Sequence, residues 1–372
     1  MSDLSPTVSV RKTWTGIVVD GLAVPSLWLR DACSCAECRD GRSGQRLRSA
    51  LTLDPATEVD DLRADGDEVQ MTFSPDGHTA VYSAKWLRAN APGRSEVFDD
   101  RSERTRQPWT ARDLAGRPPR VPWFQFSRVG QQREDALREL MDLGILLVDG
   151  VPPEPERVLE VARSFGFVRT TNYGDLFDVR VEPQPDNLAF TDRAIGPHTD
   201  NPYREPVPGI QLLHCLSTSA SGGQNVLIDG FKVAAILREE DPVAFEMLAG
   251  TPLTFRFDDA TAALRASGPT IELNRAGDVR GIRWNDRSVE PPQVPPDQVA
   301  LVYKSMRSFA DVLSRPELAL HVTLAPGDCI VFDNTRILHA RTAFTNGAGS
   351  RHLQGCYADL DGLASTLAVL DR

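Results

Sequence analysis

The second half of this chain alternates short apolar runs with tight-turn signals and never settles into a strand–helix–strand rhythm. Strands dominate from 209 to 227 and again from 319 on. There His321-Val322-Thr323-Leu324 leads through Ala325-Pro326-Gly327-Asp328 into Cys329-Ile330-Val331-Phe332. A few helices flanking many strands, without βαβ alternation, favours an antiparallel barrel or sandwich over a doubly wound sheet. Helical periodicity is confined to three stretches. Residues 134–143 carry an apolar face and end at Gly144, a C-cap signal, before the strand Ile145-Leu146-Leu147-Val148. Residues 155–165 form a second helix closed by Gly166. The third, 297–313, has one stripe of Val299, Val302, Tyr303, Met306, Phe309 and Leu313, read as packing surface.

Ahead of this lies a smaller strand-rich region, with strands at 16–20, 50–53 and 68–73 and a turn at Pro75-Asp76-Gly77. A stretch rich in Arg, Asp, Pro and Gly follows. The expected organisation is a small β domain over 1–92, a linker over 93–120, and a large mainly β, α+β domain over 121–372. A chain of 372 residues can bury two such cores.

A net charge of −11 argues against nucleic acid as partner, since phosphate binding needs an excess of Lys and Arg on one face. No apolar run approaches membrane-spanning length, and the first residues lack a basic-then-apolar export pattern. A soluble cytoplasmic protein is expected. Six cysteines in a chain of this kind are not a disulfide framework. Cys215, Cys329 and Cys356 sit in apolar segments and read as core; Cys33, Cys35 and Cys38 cluster.

Two of the six histidines stand in contexts suited to metal chemistry. His198-Thr199-Asp200 places two ligand types at i and i+2, which share a face if the segment is a strand. His339 follows a strand and turn in Phe332-Asp333-Asn334-Thr335-Arg336-Ile337-Leu338-His339. Two imidazoles and a carboxylate on one side of an ion leave cis positions open, which suits non-haem Fe(II); zinc accepts the same donors. A lone His-X-Asp is a weak signal, strengthened here by Arg351, twelve residues past His339. Brought back on a neighbouring strand, its guanidinium could grip a carboxylate bidentately. Alone, Arg351 reads as a surface residue. His214, within an apolar run, reads as core, and His321 as solvated.

The segments His198-Thr199-Asp200-Asn201-Pro202-Tyr203, Gly209-Ile210-Gln211-Leu212-Leu213-His214-Cys215, Gly222-Gly223 with Asp229-Gly230-Phe231, and 351–361 resemble the γ-butyrobetaine dioxygenase family. That family makes L-carnitine and lies within the wider taurine-dioxygenase-like 2-oxoglutarate oxygenases. The likeness runs in order from about Trp28 to the C-terminus. It implies a double-stranded β-helix (jelly roll) catalytic domain with His198, Asp200 and His339 as iron ligands. It further implies Arg351 on the far carboxylate of 2-oxoglutarate, Leu213 lining that pocket, O₂ as second co-substrate and ascorbate as reductant. In the N-terminal domain it implies structural zinc on Cys33, Cys35, Cys38 and His78. Three close thiols and a distant imidazole independently satisfy a closed tetrahedral Cys₃His site.

The same resemblance implies an aromatic cage for a trimethylammonium group at Tyr173, Phe177, Phe190 and Tyr357. Two of these are Phe where animal members carry Trp and Tyr. A quaternary ammonium has no N–H to donate, so ring faces are its natural receptor. Asn187 and Asn285 match asparagines near the substrate's acidic end, and Arg193 adds a cation there. The expected activity is hydroxylation of γ-butyrobetaine to L-carnitine, by a homodimer. Trimethyllysine and 2-(trimethylamino)ethylphosphonate are the competing substrates. A non-catalytic jelly-roll betaine-binding protein, and an N-terminal domain acting mainly as a protein-interaction module, are the alternatives of other classes. No general base is assigned beyond the iron centre.

Overall fold

The computed structural model describes residues 9–92, 106–180, 193–218, 221–345 and 351–371, which form two compact units, Met1–Arg104 and Thr105–Arg372. In the first unit, β1 (Val10–Thr13), β2 (Gly16–Val19) and β3 (Leu22–Pro25) make an antiparallel sheet, followed by α1 (Ser26–Asp31). A second antiparallel sheet, β4 (Glu58–Asp65), β5 (Glu68–Ser74) and β6 (Thr79–Ser83), runs into α2 (Ala84–Asn90). Strand β5 alternates Val69, Met71 and Phe73 inward with Glu68 and Gln70 outward, so this small core is built by period-two patterning. The strand expected at 50–53 is instead a 3₁₀ turn over Ala50–Thr52, capped by the Ser49 hydroxyl accepting from the Leu51 amide. Its residues are not buried, so no packing overrides this local hydrogen bond.

The second unit begins inside what reads as linker. Trp109 is 2% exposed, its amide donates to Asp229 and its indole N–H to the Leu143 carbonyl. A single buried Trp thus anchors a polar stretch that composition alone assigns to a connection. Strand β7 (Arg120–Pro122) follows, pairing parallel with β8 (Ile145–Asp149) across α3 (Trp123–Phe126) and α4 (Gln131–Leu143). Gly144 caps α4 in the left-handed region, φ 72°, where a Cβ would be strained. Helix α5 (Arg157–Arg163) ends earlier than expected, at a Ser164 cap.

Next come β9 (Val168–Arg169), β10 (Phe177–Arg180), β11 (Ile195–His198), β12 (Ile210–Thr218), β13 (Ser221–Gly222) and β14 (Asn225–Asp229). Helices α6 (Gly230–Glu240) and α7 (Pro242–Gly250) lead to the hairpins β15 (Pro252–Asp258)–β16 (Ala263–Pro269) and β17 (Ile271–Leu273)–β18 (Val279–Ile282). The chain closes with α8 (Pro296–Leu313), β19 (Leu320–Val322), β20 (Cys329–Asp333), β21 (Ile337–Arg341), β22 (Phe344–Thr345), β23 (Arg351–Ala358) and α9 (Leu360–Leu370). Along α8 Val302, Phe309 and Leu313 are buried while Tyr303 is exposed.

The strands form a jelly-roll pair of sheets. A larger one, ordered β10-β23-β12-β20-β8-β7 with β9 beside β23, packs against a smaller one ordered β11-β21-β14-β19. Between them lie Ile145, Leu213, Ile330 and Phe332 from the large sheet and Leu227, Leu320 and Ile337 from the small one. The outer face of the large sheet (Leu146, Leu212, Val331, Cys356) is covered by α4, α5 and α9, and that of the small sheet (Val226, Ile228, Leu338) by α6, α7 and α8. Strands covered on both faces are apolar through their middle, as β20 and β14 are, with every residue of both buried. Cys215, Cys329, Cys356 and His214 are all fully buried and His321 exposed, as the sequence reading has them.

Candidate metal centre and active-site cavity

The small sheet delivers the two histidines. His198, the last residue of β11, is the register partner of His339 on β21, and their ring centroids stand 4.2 Å apart. Asp200 does not reach them by strand alternation: β11 stops at His198, and Asn201 turns the chain at φ 54°. Asn334 holds that turn. Its Oδ1 accepts from the Asp200 amide (2.7 Å), and its Nδ2 donates to the carbonyls of Asp200 (3.0 Å) and Pro208 (2.9 Å). The loop bearing Asn334 is fixed in turn by Arg336, whose fully buried guanidinium pairs with Asp229 and donates to the Asp142 and Gln107 carbonyls. Removing one partner from such a pair costs about 3–5 kcal/mol.

Asp200 Oδ1 lies 3.3 Å from His198 Nε2 and 3.9 Å from His339 Nε2. Ligands about 2.1 Å from one ion and at right angles to each other stand about 3 Å apart, so these atoms nearly enclose a cation position. The tautomers agree. His198 Nδ1 sits 2.9 Å from the Gly196 carbonyl, which can only accept, so Nδ1 carries the proton and Nε2 offers its lone pair. Burial, helped by His198, pushes His339 down to about 3, leaving a neutral imidazole whose Nδ1 has no partner among the described residues. Burial alone would raise Asp200, but His339, His198 and the Tyr357 hydroxyl hold it below the usual carboxylate range. Two imidazoles and a carboxylate at these distances fit a divalent cation bound from one side.

Arg351 opens β23 on the large sheet. It faces the triad from the opposite sheet rather than from a strand beside β21, and is 7% exposed. Its Nη2 donates to Asn225 Oδ1 at 3.2 Å, burial depresses its pKa, and no carboxylate of the described residues compensates it. A buried guanidinium in that state calls for an anionic ligand.

Triad and guanidinium open on one cavity of about 440 Å³, which Leu213 and Asn285 also line. Aromatic rings form much of its wall. Tyr173 and Phe177 are 6.4 Å apart by centroid, and Phe177 and Tyr357 5.1 Å. Phe177 fits only because its register partner is Gly355, where an added Cβ would stand 2.4 Å from the ring. Sequence reasoning missed two further rings: Phe257 lies 6.0 Å from Tyr173 and 5.0 Å from Tyr203. Tyr203 sits in the quoted His198–Tyr203 segment, so it carried a signal; Phe257 lies on a hairpin far in sequence and carried none. Asn187 and Phe190 lie outside the described residues. Arg193 is exposed just before β11 and is not among the cavity's lining residues; its carbonyl accepts from Arg341. Arg287 does line the cavity, as does Arg256, which pairs with Asp258.

In the first unit, Cys33, Cys35, Cys38 and His78 converge. His78 Nε2 lies 3.2 Å from Cys33 Sγ and 3.6 Å from each of the other two sulfurs. Buried Arg30 donates to Cys38 Sγ at 3.2 Å and pairs with Asp76, whose other oxygen accepts from the His78 amide. Burial pushes the Cys33 thiol up to about 12, so only a bound cation would make its thiolate favourable here. Three sulfurs and one nitrogen at mutual contact fit a closed tetrahedral site.

Residues 106–357 match the family described as "Taurine catabolism dioxygenase TauD, TfdA family", and 19–105 match "Gamma-butyrobetaine hydroxylase-like, N-terminal". The chain is 34% identical to a gamma-butyrobetaine dioxygenase of Pseudomonas sp. (strain AK-1), covering 99% of this chain and 97% of that one. It is 31% identical to the human gamma-butyrobetaine dioxygenase and 28% to a trimethyllysine dioxygenase of Meyerozyma guilliermondii, each over 93% of this chain and 90% of the other.

Proposed function

Because the chain belongs to the TauD, TfdA family of dioxygenases, we propose that it uses 2-oxoglutarate and O₂ at Fe(II) to hydroxylate a trimethylammonium acid, γ-butyrobetaine first. One observation carries the reading: the triad, a buried guanidinium without a carboxylate partner among the described residues, and a wall of aromatic rings share a single cavity. His198, Asp200 and His339 would hold the iron, which with 2-oxoglutarate and O₂ supplies the oxidant while the co-substrate leaves as succinate and CO₂. Arg351 and Leu213 bind and shape the far end of 2-oxoglutarate. Tyr173, Phe177 and Tyr357 present ring faces to the cation, each good contact contributing about 2 kcal/mol once desolvated. Asn285, 8% exposed on the cavity wall, offers an amide to the substrate's acid.

A second acid is favoured by a specific observation. Arg287 lines the cavity, and no ion pair joins its guanidinium to an acidic side chain of the described residues. An extra cation there suits a dianion, hence 2-(trimethylamino)ethylphosphonate, and disfavours the α-ammonium of trimethyllysine. In the first unit the Cys₃His cluster is assigned structural zinc, on its closed four-donor geometry.

The deciding experiment is succinate and product formation with Fe(II), ascorbate and 2-oxoglutarate against all three compounds. Turnover of γ-butyrobetaine or the phosphonate is expected, with trimethyllysine slowest. Turnover of trimethyllysine alone would reverse the substrate order. Binding of the betaine without any succinate would point to a non-catalytic binder.

A further inference from the structure

The second oxygen of Asp200 is held as firmly as the first is exposed to the histidines. Oδ2 accepts from Gln211 Nε2 at 2.8 Å and from the Tyr357 hydroxyl at 2.8 Å. Gln211 and Tyr357 are register partners on β12 and β23, 2% and 3% exposed. Gln211 cannot turn its amide over, because a carboxylate only accepts. It keeps this contact although its own Oε1 is buried without a partner among the described residues, an arrangement that opposes folding by about 1–3 kcal/mol. Tyr357 is meanwhile a wall of the aromatic cage, 5.1 Å from Phe177. One side chain therefore touches both the cation's receptor and a ligand of the metal.

Resting on the metal reading above, we propose that Gln211 and Tyr357 are positioning residues that latch Asp200 Oδ2. The latch keeps that ligand to one oxygen, and Tyr357 makes it respond to filling of the cage. The consequence is coordinative. Were the ion held by His198, His339 and Asp200 Oδ1 alone, positions on its far side would be left for the co-substrates. A carboxylate free to bind through both oxygens would take one of them.

The test uses full-length, zinc-loaded protein under argon, with Co(II) and 2-oxoglutarate, and follows the Co(II) ligand-field spectrum with and without γ-butyrobetaine. Tyr357→Phe keeps the ring and loses the hydroxyl; Gln211→Met keeps the volume and loses the amide. Both are expected to weaken Co(II) binding by about 10–100-fold, the usual effect of losing an outer-shell partner. γ-Butyrobetaine should tighten Co(II) binding at least about fivefold in wild type and in Gln211→Met but not in Tyr357→Phe, since the Tyr357 hydroxyl is the contact that joins the cage to Asp200. The coupling is read at saturating γ-butyrobetaine, and betaine binding to metal-free Gln211→Met should match wild type, which a merely structural role of the amide would not ensure. Wild-type Co(II) affinity in both variants, or unchanged coupling in Tyr357→Phe, would overturn the latch alone. Should wild type take up no Co(II) at the triad, the metal reading fails and the latch with it. If Tyr357→Phe does not fold, Gln211→Met still decides through the Co(II) affinity.

Discussion

Replacing Arg351 by methionine separates an anchoring role from a structural one, because the two predict opposite patterns of stability. The guanidinium is 7% exposed and its one hydrogen bond among the described residues goes to Asn225. In the ligand-free protein the substitution removes a buried cation that has no carboxylate partner among the described residues, which relieves a desolvation penalty. Against this stands one lost hydrogen bond, about 1 kcal/mol. The ligand-free variant should therefore be no less stable than wild type by more than that amount. With 2-oxoglutarate the balance reverses. Truncating one side of a buried, hydrogen-bonded charge pair costs about 2–5 kcal/mol, or about thirty- to several-thousand-fold in affinity. Equilibrium urea unfolding with Co(II), with and without 2-oxoglutarate, reads both effects. At a hundred times its dissociation constant the co-substrate should stabilise wild type by about 2.7 kcal/mol, and the variant by about 0.9 kcal/mol or less. The KM for 2-oxoglutarate should rise in parallel. A variant that loses 3 kcal/mol or more without ligand, yet keeps a wild-type KM, would show Arg351 to be structural and refute the reasoning.

Gly355→Ala should raise the KM for γ-butyrobetaine about tenfold or more while leaving Co(II) affinity intact, because the new methyl pushes Phe177 out of the cage; an unchanged KM in steady-state assays would show that the ring does not contact substrate. Chelating zinc should unfold the first unit, seen as loss of near-ultraviolet dichroism, since metal binding there is folding energy; retained structure at full zinc loss would count against the site. His214 is fully buried and burial lowers its pKa. The unfolded chain therefore binds its proton first, and stability falls as pH drops below the unfolded value of about 6.5, by up to about 1.4 kcal/mol per pH unit. His214→Leu should make urea-unfolding stability fall less steeply between pH 7.5 and 5.5, the remaining fall coming from His339, and an unaltered slope would show that His214 does not titrate on unfolding.

Much of the site was legible because metal and anion chemistry restricts residue types severely. Few side chains ligate iron or zinc, so His198, Asp200, His339 and the Cys33–Cys38 cluster stand out at any position in a chain with six histidines. The alternating and continuous apolar runs likewise fixed which faces are buried, and hence two covered sheets. What the string could not carry were contacts across long separations. Asn334 clamps a loop 134 positions away, Trp109 docks on Asp229 120 positions on, and Gln211 reads as one polar residue in an apolar strand. Gln211 stands in a segment that carries the family resemblance, but no local pattern gives any of the three its contact, because the partner is local only after folding. Arg193 erred the other way: nearness in sequence to His198 did not bring it into the cavity, since it lies exposed ahead of β11 while Ile195 and His198 of that strand line the wall.

The sequence by itself determined the chemistry available: which atoms can bind a metal, which rings can face a cation, and which segments must be strands. Only the tertiary structure decided how those atoms are aimed. Asp200 presents one oxygen and Arg351 looks across from the opposite sheet because hydrogen bonds and sheet packing, not residue identity, set direction. A side chain's type is a property of one position, whereas its orientation is a sum over neighbours that the chain order does not name.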